Sequence, residues 1–156
     1  MKHWVWYLVG LLVASTVFGQ PFTATDVAKL QPVQVIAVSA DADCVTVQTD
    51  TGDAGFGATL ADALSDLMRT TPGYVFLETA QYLLVTQTAE PLLGEQSFYL
   101  RPGCSVYMLQ DDLELTEIAP YLSAHNSNAT LRDCVEGACL LPRLVKEGGR
   151  VRIASA

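Results

Sequence analysis

Residues 33–69 read VQVIAVSADADCVTVQTDTGDAGFGATLADALSDLMR, and their reading decides the fold. Val33, Val35, Ile36 and Val38 follow Pro32 as a β-branched run, which predicts a strand. Asp41-Ala42-Asp43 is a turn. Cys44, Val45, Val47 and Thr49 predict the next strand, with Val45, Val47 and Thr49 on one face, so the pair reads as a hairpin. Thr51 to Gly57 reads as a glycine-rich loop. Thr59 then suits a helix N-cap, with Asp62 three residues on in a near capping box. Leu60, Ala63, Leu64, Leu67 and Met68 keep helical spacing, and Asp62 and Asp66 face outward. Arg69 favours the negative end of the helix dipole. Thr71-Pro72-Gly73 stops the helix.

The same grammar continues. Tyr74–Leu77 and Tyr82–Val85 read as short strands joined by Glu78–Gln81. Thr88 is placed as the cap of a second helix, Ala89 to about Tyr99, with Leu92, Leu93 and Phe98 facing inward. Arg101-Pro102-Gly103 ends it. Cys104–Leu109 is a strand. A third helix, Leu113–His125, turns Leu115, Ile118, Ala119 and Leu122 inward, with Pro120 placed to bend or split it. Asn126–Asn128 is a turn and Thr130–Val135 a last short helix. Leu140–Lys146 and Arg150–Ala154, joined by Glu147-Gly148-Gly149, read as a closing hairpin. The order predicts an α+β (mixed α/β) single domain over 33–156, with three to four helices packed on a mixed sheet and hairpins at both ends.

Ahead of it, Lys2 and the uncharged run Trp4–Phe18 have the form of a signal peptide over residues 1–19. Fifteen residues make about 22 Å of helix, short for a hydrocarbon core roughly 30 Å thick. Val17 and Gly19 occupy the small-residue positions, which places cleavage between Gly19 and Gln20. The alternative is an uncleaved anchor. Residues 20–32 are a polar lead-in. The body is then exported, either secreted or held at the outer face of the cytoplasmic membrane. Losing Lys2 leaves eight basic against seventeen acidic residues, a formal charge of about −9. Such a surface repels nucleic acid and anionic headgroups. Protein partners, small molecules or solubility alone remain as its purpose.

No stretch carries a catalytic signature. Gly52–Gly57 precedes a helix, where phosphate sites are built. Yet no P-loop lysine and no G-x-G-x-x-G follow, so the run reads as a flexible turn. Cys44, Cys104, Cys134 and Cys139 are an even number in an exported chain, which permits two disulfides in three connectivities. Cys134 and Cys139 suit a local bridge, and Cys44 and Cys104 fall at strand starts and could meet across a sheet. Four buried thiols are the alternative. The cysteine spacing does not suit zinc. His125, the one histidine after cleavage, reads as a structural residue at a helix end, and no nucleophile elbow accompanies it. Asp111, Asp112, Glu114 and Glu117 read as dipole compensation rather than a divalent-ion site. Asn128-Ala129-Thr130 matches a glycosylation sequon. No cofactor, metal or catalytic residue is predicted.

From Val33 onward the chain resembles the first domain of the C subunit of bacterial nutrient germinant receptors, the Ger(x)C-type spore lipoprotein family. PVQVIAVSADADCVTVQTDTG is similar to that family's opening hairpin. GATLADALSDL is similar to its G-x-T-[LI]-x-[ED]-A helix start. YVFLETAQYLLVTQTAEPLLGEQSFYLRP, with its Leu100-Arg101 pair, and LLPRLVKEGGRVRIASA resemble later segments in the same order. The resemblance implies a non-enzymatic subunit outside the membrane that acts with two integral-membrane partners in germination, and it brings no active-site residues. Two departures stand out: the chain ends after about one domain, and no lipid-accepting cysteine follows Gly19. The alternative is a secreted module that binds a small ligand or Ca²⁺ through the glycine run or the acidic cluster.

Overall fold

The computed structural model describes residues 30–110, 115, 118–125, 127–137, 140–148 and 150–154. The signal segment, Gly19 and Gln20, residues 21–29, Asp111, Asp112, Glu114, Glu117 and Cys139 lie outside the described residues.

The opening hairpin forms as β2 (Val35–Ala40) and β3 (Val45–Thr49), paired antiparallel from Ile36↔Thr49 to Ala40↔Val45. Val45, Val47 and Thr49 are buried on one face, as their alternation predicts. Leu30–Pro32 (β1) belongs to the folded unit. It pairs in parallel with β5 (Tyr74–Phe76) in a separate two-stranded sheet, and Thr79 Oγ1 ties the join by bonding Val33 N–H and C=O.

The glycine run is not a flexible loop. Ala54–Gly57 is an edge strand, β4, paired with β3. Helix α1 (Leu60–Thr70) packs directly onto it. A Cβ on Gly55 would collide with the Ala63 carbonyl oxygen and stand 2.5 Å from the Leu67 nitrogen; one on Gly57 would meet the Ala63 nitrogen. The glycines are there because helix and strand backbones touch. The N-cap of α1 is the predicted Thr59. Its hydroxyl accepts from Asp62 N–H at 3.2 Å and donates to the Asp62 carboxylate at 2.8 Å. Leu60, Ala63, Leu64 and Leu67 are buried, and Met68 is exposed.

Next come β6 (Tyr82–Thr86), helix α2 (Leu93–Gln96), β7 (Ser105–Leu109), helices α3 (Ile118–Ala124) and α4 (Leu131–Val135), and the closing hairpin β8 (Arg143–Glu147) and β9 (Arg150–Ala154). The main sheet has seven strands in the order β4-β3-β2-β6-β7-β8-β9. Its centre, β2-β6-β7-β8, is parallel, and both flanks are antiparallel. With the four α-helices among the described residues this is a single α+β domain.

The second predicted helix is much shorter than its sequence range. A 3-10 turn over Glu90–Leu92, with Pro91 in it, leads into the single turn of α2. Helical spacing therefore stops at Gln96, and Phe98 points out, 85 % exposed, instead of inward. In α3, Pro120 falls at the third described position and joins no break; Leu115, Ile118, Ala119 and Leu122 are buried as expected. Helix α4 starts with a full capping box between Thr130 and Asp133, and those bonds from Thr130 hold the Asp133 carboxyl below its usual range.

Two cores form. Ile36, Val38, Leu83, Val85 and Val106 face α1, α2 and α4. Val35, Ala37, Leu84 and Tyr107 face α3. Four successive residues of β6, Tyr82–Val85, are buried because helices cover both faces of the parallel centre. Each free edge of the main sheet has one amide engaged by a side chain. Asp66 on α1 accepts from Phe56 N–H of β4 at 3.1 Å, and the Tyr121 hydroxyl accepts from Ile153 N–H of β9 at 3.2 Å. An accepted edge amide is not open to a further strand. Arg69, 2.6 Å from Asp66, and then the Phe56 amide hold the Asp66 carboxyl below its usual range.

Candidate functional site

Cys44 precedes β3 and Cys104 precedes β7, with β2 and β6 between them. Three spacings of about 4.8 Å make roughly 14 Å, twice the Cα separation of about 7 Å that a disulfide tolerates. β3 also runs against β7, so the two strand starts lie at opposite ends of the sheet. The expectation that they meet is therefore corrected: both are free thiols. Cys104 is fully buried, and that desolvation pushes its thiol up to about 12. It is an inert core residue, not a redox group. Cys134 is disulfide-bonded; Cys139, the partner that spacing offers, lies outside the described residues. Denatured, unreduced protein from an oxidising host is expected to titrate two free thiols. Four would show that the Cys134 bridge does not form.

His125 follows α3 and stacks on Tyr121, with ring centroids 4.5 Å apart, while its Nδ1 lies 3.0 Å from the Tyr121 carbonyl oxygen. Its sequence neighbours turn elsewhere. Ser123 Oγ donates to Pro120 O, and Ser127 Oγ accepts from Ala129 N–H. The loop after α3 is held instead by buried Tyr107, whose hydroxyl donates to His125 O at 3.3 Å and accepts from Ser127 N–H at 2.8 Å. Among the described residues, no three of His, Cys, Asp and Glu are grouped to hold a metal ion, and no helix is long and apolar enough to cross a membrane. In the sequon, Thr130 is engaged as the α4 N-cap.

Two surfaces stand out that the sequence did not single out. The first lies on the α1-α2-α4 face. Helices α2 and α4 are neighbours; the turn after α2 exposes Phe98 and Tyr99, and α4 exposes Val135. Beneath Tyr99 a cavity of about 10 Å³ opens between α1 and the sheet, lined by Ile36, Val47, Leu64 and Gln96. That is about the room of one water molecule. Gln96 is 2 % exposed, and both ends of its amide lack a hydrogen-bond partner. An unpaired buried amide group costs about 1–3 kcal/mol, so this corner is the least satisfied part of the described core. The second surface is a cleft over the carboxyl ends of β6 and β7. Thr88, expected to cap a helix, caps nothing: its hydroxyl lies 3.0 Å from that of Thr86 at this cleft.

Comparison with protein-family models, with curated proteins and with solved structures finds no match for the chain.

Proposed function

We propose that this protein is an exported, non-catalytic module that acts through protein contacts, using the α2–α4 surface. The observation that carries this reading is Phe98: an aromatic side chain 85 % exposed, next to exposed Tyr99 and with Val135 on the neighbouring helix. Adjacent exposed aromatic groups of this kind mark interaction surfaces. The Cys134 disulfide supports export, because such bonds persist in oxidising compartments. Both sheet edges have an amide already engaged by a side chain, which favours docking on a face over strand addition. The germination role, at the outer face of the membrane beside integral-membrane subunits, rests on the sequence resemblance alone.

Deletion in the source organism is expected to slow nutrient-triggered germination, and the wild-type chain to restore it. A Phe98→Asp chain of unchanged melting temperature is expected to restore little. Unaffected germination on deletion would remove the germination role. Full rescue by Phe98→Asp would remove this surface as the contact.

A further inference from the structure

We propose a second, separate site: the cleft over the carboxyl ends of β6 and β7 binds a small metabolite through an oxyanion, a carboxylate or phosphate, gripped by Arg143. The topology makes a crevice there. The chain leaves β6 toward α2 on one face of the sheet, while α3, the helix that follows β7, packs on the other. Where neighbouring parallel strands send their connections to opposite faces, a gap opens beyond their carboxyl ends, and ligands of open α/β sheets occupy such gaps. Here it holds two adjoining cavities of about 240 Å³ each, which share Thr86, Leu109 and Gln110. Each is smaller than the usual range of roughly 300–1,000 Å³ for ligand pockets, which selects a small molecule.

The lining supplies the chemistry. Thr86, Thr88 and Gln110 bring hydroxyl and amide groups, Met108 and Leu109 an apolar floor, and Arg143 a guanidinium. Arg143 enters the cleft because β8 is staggered: its first residue pairs with Met108, near the end of β7. The surrounding charge is unusual for a chain of net charge −8. The β8–β9 hairpin holds Arg143, Lys146, Arg150 and Arg152, four of its nine basic residues. By register Arg143, Arg150 and Arg152 share one face. Arg152 lies 3.4 Å from Glu147, whereas Arg143 has no ion pair among the described residues. A guanidinium fork pairs with a carboxylate or phosphate through two parallel bonds, and a local basic face draws anions toward it.

The test is an amide NMR titration of the whole domain with succinate and, separately, inorganic phosphate, at constant ionic strength in chloride. Shifts are expected at Thr86–Thr88, Met108–Gln110 and Arg143. Arg143→Gln is expected to weaken binding about tenfold or more, the loss of a charge-assisted pairing, whereas Phe98→Asp leaves it unchanged. A response to succinate alone or to phosphate alone assigns the anion and supports the site. Absence of shifts at the cleft with both anions, or equal binding by Arg143→Gln, overturns it. Because Phe98→Asp is silent here, failure of this site and failure of the α2–α4 contact are read separately.

Discussion

Replacing Gly55 by alanine is expected to destabilise the domain by about 3 kcal/mol or more, at the upper end of overpacking costs. On an open strand the same change would gain a few tenths to about 1 kcal/mol by stiffening the unfolded chain. The sign reverses because of what the new Cβ meets: the Ala63 carbonyl oxygen, the Leu67 nitrogen at 2.5 Å and Leu67 Cβ at 2.7 Å. Two of these are helix backbone, which cannot rotate away. Relief requires lifting α1 off β4, which exposes Leu67 and Ala63, both fully buried. Gly94 in α2 is the internal control, since a Cβ there meets nothing within 4 Å. Gly94→Ala is expected to raise the melting temperature by a few degrees, following helix propensity. Thermal or denaturant unfolding of both variants checks the pair. Equal effects of the two substitutions would contradict the contact between α1 and β4.

The stability of the domain is expected to fall steeply above pH 9, and Cys104 is the main reason. Its folded thiol is held up to about 12 against an ordinary value of 9.0. Below pH 9 both states keep the proton, so burial of the neutral thiol contributes in full. Above pH 9 the unfolded chain ionises while the folded one does not, and the balance moves toward unfolding until about pH 12. At pH 11 the loss is about 3 kcal/mol, with ~1.4 kcal/mol per unit. For a domain of this size that is on the order of 10 °C in melting temperature. Tyr107 acts in the same direction, because burial holds its phenol above 10.0. Cys104→Ala is expected to lose some stability at pH 7, from the small cavity, but to decline far less between pH 9 and 11. Parallel declines in the two proteins would remove Cys104 as the cause.

Much of the fold was legible in residues 33–69, because both periods are clear there. Alternating Val45, Val47 and Thr49 and the i, i+3, i+4 pattern of Leu60–Leu67 each have one structural solution. Thr59 announced its helix by side-chain chemistry that operates locally. The glycine run misled because glycine has two uses, to loosen a turn and to admit a neighbouring backbone, and only the position of α1 separates them. Phe98 misled because a helical repeat was extended past Gln96, where one turn of α2 ends. The candidate sites were illegible for a related reason. Thr86 and Thr88 acquire meaning only as the carboxyl end of a parallel strand, and Arg143 only through its register against Met108. Pairing across the sheet is not written in local periodicity.

By itself, then, the sequence determined the class of fold, the Thr59 cap and the core faces of β3 and α1, since these follow from hydrophobic period and short-range hydrogen bonding. It also set the strongly acidic charge and the four cysteines that frame any reading of compartment. Tertiary structure alone decided the strand order, and with it that Cys44 and Cys104 stand apart, that Gly55 lies against a helix, and that Arg143 meets the threonines at the carboxyl edge. The physical reason is distance along the chain. Local rules act over about four residues, whereas Thr86 and Arg143 meet only after the parallel sheet has chosen its neighbours.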